Sequence, residues 1–216
     1  MWRPAASPQS SEGGMVKPSF GMPVFFSGAF YVLYGPATTI NTSTTETSIF
    51  GGDTSITTPI IVSAGVNPYP QNPGSSRAIP PVALNTQGTM FNGDFFGTIK
   101  TNGTPNIQFR LGLVNSAGTF TSLADTTAQA MTSEATACYL HVSTGFSILK
   151  VGTSGSIQAY IGIEYAPTSI SLFSTYTTTT ALDLTQPYTL DIRATWGTSD
   201  AANIVAINHG AFEVIG

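Results

Sequence analysis

Residues 188–196 read Tyr188-Thr189-Leu190-Asp191-Ile192-Arg193-Ala194-Thr195-Trp196, and their two-residue period decides the fold class. Successive side chains of a β-strand point to opposite faces. Tyr188, Leu190, Ile192, Ala194 and Trp196 therefore form an apolar face, and Thr189, Asp191, Arg193 and Thr195 a polar one. The same period recurs from Ile107 to Val114, where Ile107, Phe109, Leu111 and Leu113 share a face opposite Gln108 and Arg110. Both stretches read as half-buried strands. Their apolar sets predict a core in which Trp196 is buried with Leu190 and Ile192 against Ile107, Phe109 and Leu111.

Outward from these two strands, aromatic and β-branched runs bounded by Gly, Pro and Asn continue the pattern. Val24–Tyr34, Glu46–Phe50, Thr89–Lys100, Ser156–Tyr165 and Asn203–Ile215 each predict a strand. The apolar phase shifts around His209-Gly210, the signature of a β-bulge. Residues 138–151 read as a hairpin turning at Thr144-Gly145, and the Thr177–Thr180 run is too polar for a strand buried on both faces, so it reads as an exposed edge or loop. The sole helix-tolerant stretch, about Ser122 to Thr136, is weakened by its threonines. Short strands at regular spacing make the chain all-β, a sandwich or barrel.

Two segments stand apart. Residues 1–23 carry Pro4, Pro8, Pro18 and Pro23 with Gly13-Gly14, which prevents regular pairing and predicts an extended N-terminal arm. Trp2, Met15, Phe20 and Met22 would leave that arm's apolar groups unburied unless a neighbour covers them. Residues 63–87, with Asn67-Pro68-Tyr69-Pro70 and Pro80-Pro81, predict a long Pro-rich loop inserted into the domain that spans 24–216, and Tyr69 is its candidate contact residue.

Composition points to partners. Charged residues are 8% of the 216, against roughly a quarter in an ordinary soluble domain, while aromatics are 11%. Interface centres are depleted of Lys, Glu and Asp, so a charge-poor, aromatic chain is expected to have much of its surface covered by other protein. A net charge of −4 leaves no basic footprint for nucleic acid. No apolar run reaches the roughly 18–20 residues needed to cross a bilayer as a helix, and the start lacks the basic-then-apolar layout of a secretory signal. Cys138 alone forms no internal disulfide framework and reads as a buried free thiol in a strand, consistent with assembly in a reducing cytoplasm.

Catalytic constellations are missing from the sequence. His141 lies in an apolar strand and His209 beside Gly210, and neither belongs to a nucleophile elbow, a His-Glu-x-x-His helix or a zinc-spaced cluster. The carboxylates are scattered, most beside Gly or Thr, where Asp caps turns. Asp53, Asp94 and Asp200 read as turn caps before calcium ligands. We therefore expect no enzyme, no cofactor and no metal site.

The order of segments carries a resemblance. Glu46-Thr47-Ser48-Ile49-Phe50, Gly93-Asp94-Phe95-Phe96-Gly97-Thr98-Ile99, Ile107-Gln108-Phe109-Arg110-Leu111-Gly112, Ala181-Leu182-Asp183-Leu184, Leu190 to Trp196 and Asn203-Ile204-Val205 together resemble a diffuse group of tailed-phage virion proteins, over about residues 44–216. The resemblance implies a single jelly-roll-like antiparallel β-sandwich. It also implies a structural role as a capsid decoration (cement) protein on the exterior of a virion, with major capsid protein subunits and itself, as a homotrimer, for partners. The alternative within the same group is a head-fibre or tail and baseplate appendage that binds a host receptor or glycan. The arm and the Pro-rich insertion depart from the group's pattern and, as embracing segments, favour cement.

Overall fold

A computed structural model describes residues 28–41, 44–50, 78–79, 81–166 and 171–215. The expected arm at 1–23 and most of the Pro-rich insertion lie outside the described residues, and with them the candidate contacts Trp2, Met15, Phe20, Met22 and Tyr69.

The chain is an all-β, jelly-roll-like sandwich of two antiparallel sheets. Its strands are β1 (Gly28–Asn41), β2 (Thr47–Ser48), β3 (Met90–Thr101), β4 (Asn106–Asn115), β5 (Phe120–Asp125), β6 (Gln129–Ala130), β7 (Glu134–Lys150), β8 (Gly155–Ala166), β9 (Ser171–Leu182), β10 (Tyr188–Trp196) and β11 (Ile204–Ile215). A six-stranded sheet runs β1-β11-β3-β7-β8-β9, and a five-stranded sheet runs β2-β10-β4-β5 with β6 also paired to β4. The two strands that decided the fold class are neighbours: Trp196 lies opposite Ile107, Ala194 opposite Phe109, and Ile192 opposite Leu111.

Their apolar faces are buried as the period requires. Trp196, Leu190, Ile192, Ile107, Phe109 and Leu111 are each at most 2% exposed. The Trp196 indole N–H donates to the Ile40 carbonyl at 3.3 Å, which ties the five-stranded sheet to β1 across the core. From the opposite sheet, Phe95 and Phe212 meet edge-on at 4.8 Å, and Phe50, just after β2, packs on both at 5.1 and 5.6 Å. Edge-to-face and tilted contacts of this kind add to the area that aromatics bury.

Several expectations are corrected. Thr144-Gly145 is no turn: β7 runs unbroken through it from Glu134 to Lys150. In agreement with the all-β reading, residues 122–136 form β5, β6 and the start of β7, as their β-branched threonines favour. The first strand continues past Gly35-Pro36 to Asn41. Between Tyr34 and Thr38 its register with β11 shifts, and the bulge accommodates a proline on what is an edge strand. The far end of the segment expected to be a long ordered loop carries regular structure, since Ala78 bridges Thr189 and a one-turn helix, α1 (Pro81–Leu84), follows. Pro81 opens that turn, where its missing N–H is not needed. The bulge read at His209-Gly210 is present, with the β11–β3 register shifting between Ile207 and His209.

Candidate functional site

The side of the six-stranded sheet turned away from the core carries the most unusual surface. Among the described residues the exposed large hydrophobics are Met90, Tyr139, Leu149, Tyr176 and Ile215, all on strands of this sheet. The register places one of them, Tyr176, in a row with a second tyrosine. Asn92 on β3 lies opposite Gly145 on β7, Gly145 opposite Tyr160 on β8, and Tyr160 opposite Tyr176 on β9.

Gly145 is the pivot of that row. A Cβ there would lie 2.6 Å from Tyr160 Cε1 and 2.8 Å from Asn92 Oδ1, closer than real Cβ atoms come. The Tyr160 ring therefore rests over bare backbone, the cross-strand pairing by which aromatics cover strand glycines. Tyr176 stands beside it, 72% exposed, with ring centroids 5.6 Å apart and planes inclined by 32°. Burial, assisted by the charge of Asp94 and by Tyr176, holds the Tyr160 phenol above its ordinary pKa, so it stays a hydrogen-bond donor. Between Met90, Asn92, Ser147, Gln158 and the two tyrosines lies a depression of about 150 Å³.

Two rows away the sheet brings together the two histidines that the sequence leaves 68 positions apart. Phe96 pairs with His209 on one side and His141 on the other. Both imidazoles stack on its ring, His141 at 4.5 Å and His209 at 5.1 Å. His141 Nε2 is 2.8 Å from Asp94 Oδ1, and its Nδ1 is 4.0 Å from Glu164 Oε2. The phenyl ring between the imidazoles keeps them from sharing a metal ion or a proton. The row is a cross-strand ladder of packed rings.

The outer edge of this sheet is β9. Its twelve residues, SLFSTYTTTTAL, contain no charged residue and no proline. Natural edges are guarded by such residues or by covering segments. Ser174, Tyr176, Thr177, Thr178 and Thr180 are exposed.

The five-stranded sheet is organised differently, around a charge network. Glu46 accepts from Arg110 Nη1 at 2.8 Å and lies 3.4 Å from Arg193 Nη1. Asp191 accepts from Arg193 Nε at 2.9 Å and from Ser48 Oγ at 2.6 Å. The Arg193 guanidinium also lies 4.1 Å over the Phe120 ring. The network latches the short β2 and its flank onto β10 and β4. The sequence hides it, because Glu46 is distant in the chain from both arginines.

The remaining singled-out residues have local roles. Cys138 is a free, half-buried thiol whose Sγ–H donates to the Ile99 carbonyl at 3.4 Å. Desolvation, then the charge of Glu134, pushes its pKa up, which disfavours the reactive thiolate. Asp200 caps the β10–β11 turn by accepting from Ala202 N at 2.8 Å and Asn102 Nδ2 at 2.9 Å, and these bonds lower its pKa. Among the described residues no group of three or more His, Cys, Asp or Glu is placed to hold a metal ion, and no helix is long and apolar enough to cross a membrane. Asp53 lies outside the described residues.

No protein-family model and no curated protein matches the chain. Among solved structures it is similar to Lectin I from Ulex europaeus, in complex with the methyl glycoside of α-L-fucose, at 11% identity over 59% of this chain and 72% of that one, with a TM-score of 0.27. It is also similar to arcelin-5, a lectin-like defense protein from Phaseolus vulgaris, at 9% identity over 60% of this chain and 73% of that one, again with a TM-score of 0.27.

Proposed function

We propose that this chain is a non-enzymatic virion building block, a capsid decoration protein that stabilises a phage head by bridging neighbouring shell subunits. The observation that carries the reading is the β9 edge, twelve residues long and without charge or proline. A strand left in that state offers a row of backbone N–H and C=O groups to another chain, and an added strand gains main-chain hydrogen bonds along its length. The low charge of the whole chain supports the same reading, as does the ordered set of segments that resembles phage virion proteins. Five of its charged side chains, Glu46, Arg110, Asp125, Asp191 and Arg193, are engaged with one another on the other sheet, so the remaining surface is poorer still in charge.

The test is to place lysines on the edge. Ser174 and Thr180 are exposed, so Ser174→Lys with Thr180→Lys should leave thermal melting unchanged while weakening retention on particles stripped of the native protein by roughly tenfold or more. Equal retention of the double variant removes β9 from the interface. Failure of the unaltered protein to bind stripped particles removes the decoration reading itself. A second reading, a virion appendage that binds a host glycan, is favoured by one feature, the tyrosine pair over Gly145.

A further inference from the structure

We propose that the depression beside the Gly145–Tyr160 contact, walled by Tyr160 and Tyr176 and rimmed by Met90, Asn92, Ser147 and Gln158, is a binding site for one ring of a neutral saccharide. The inference names a ligand for the second reading above, and it does not depend on whether β9 docks on a shell.

Size comes first. At about 150 Å³ the depression is well below the roughly 300–1,000 Å³ that drug-sized ligands fill, so it suits a single ring and not an extended cofactor. The lining chemistry narrows the class. None of the side chains that line it is charged, which disfavours phosphates, carboxylates and cations. Besides the two phenols, its polar members are two amides and the Ser147 hydroxyl, groups that both donate and accept, as sugar hydroxyls do.

Those groups are also unspent. Among the described residues the side chains of Asn92, Ser147 and Gln158 make no hydrogen bond to protein. The apolar part has the matching shape. A pyranose presents a flat C–H face, and the two tyrosine rings offer π surfaces inclined by 32° to receive it. Tyr160 is held in place by the close approach over Gly145, so part of the site is ordered before any ligand arrives. Tyr176, at 72% exposure, has most of its ring free for contact.

The experiment titrates the full chain with methyl glycosides of glucose, galactose, mannose and N-acetylglucosamine, and with glucuronate as an anionic control. The side-chain amide resonances of Asn92 and Gln158 are the readout. At least one neutral glycoside should shift both, and Tyr176→Ala should weaken its affinity by roughly tenfold. Tyr139→Ala, an exposed aromatic on another row of the same sheet, should leave the affinity unchanged. No response to any neutral glycoside at tens of millimolar overturns the inference. So does a preference for glucuronate, or equal sensitivity to the two tyrosine substitutions. Loss of particle retention in Tyr176→Ala without any sugar response also overturns it, and would make this face a protein interface while leaving the decoration reading intact.

Discussion

Trp196 closes the decisive strand, and it shows how one side chain joins both layers. Its ring is 1% exposed, and its N–H reaches the Ile40 carbonyl on β1 of the opposite sheet. Trp196→Ala would remove the largest of the fully buried side chains and with it the indole hydrogen bond to that carbonyl. We expect a loss of about 3–5 kcal/mol, the range for truncating a buried aromatic. Chemical denaturation with an unchanged m-value would measure it, and a loss below about 1 kcal/mol would mean that the neighbouring side chains close the cavity. The polar residues of the same strand behave less simply than their alternation suggests. Thr189 and Asp191 are buried although they face away from the core, Asp191 because Arg193 and Ser48 cover it. Period two assigns a side chain to a face, but what lies over that face depends on residues far away in the chain.

At the scale of elements, legibility follows how local the signal is. The strands β3, β4, β8, β10 and β11 could be read from composition and period because each has an apolar face of its own. β7 is not legible at Thr144-Gly145, where glycine looks like punctuation. The space a Cβ would take is filled from both neighbouring strands, by the Tyr160 ring of β8 and by the Phe91 carbonyl and Asn92 side chain of β3. The tyrosine pair and the His141–Phe96–His209 stack were equally hidden, since register, and no spacing within a strand, brings them together. Edge character was visible in the Thr177–Thr180 run, because four consecutive threonines cannot bury both faces. This account of Gly145 can be tested. Gly145→Ala should destabilise the fold by about 1–3 kcal/mol through overpacking. Adding Tyr160→Ala should relieve part of that cost, because the clash at 2.6 Å is then gone, while the contact with the Phe91 carbonyl at 2.7 Å remains. A double-mutant cycle reads the coupling directly. A coupling near zero would place the cost in the β7 backbone and not in the tyrosine.

For the whole molecule the question is which parts serve the fold and which serve assembly. Among the described residues the six-stranded sheet runs from Gly28 to Ile215, and the core includes Trp196, Phe95 and Phe212 from the two facing layers. Residues 1–23, by contrast, carry four prolines among Trp2, Met15, Phe20 and Met22, a composition suited to a strap laid on a neighbour. Removing those residues therefore tests the proposed division between fold and assembly. A chain beginning at Pro23 keeps all of β1, which starts at Gly28, and should melt within a few degrees of the full protein. On the proposed decoration reading it should be retained much more weakly on stripped particles, since an arm of that composition would offset its ordering cost only by burial on a partner. Sedimentation of both forms adds the oligomeric state, which we expect to be a trimer formed by copies of this chain. Unfolding of the truncated chain would make the arm part of the core, and undiminished retention would remove it from the interface, leaving the uncharged β9 edge to account for docking.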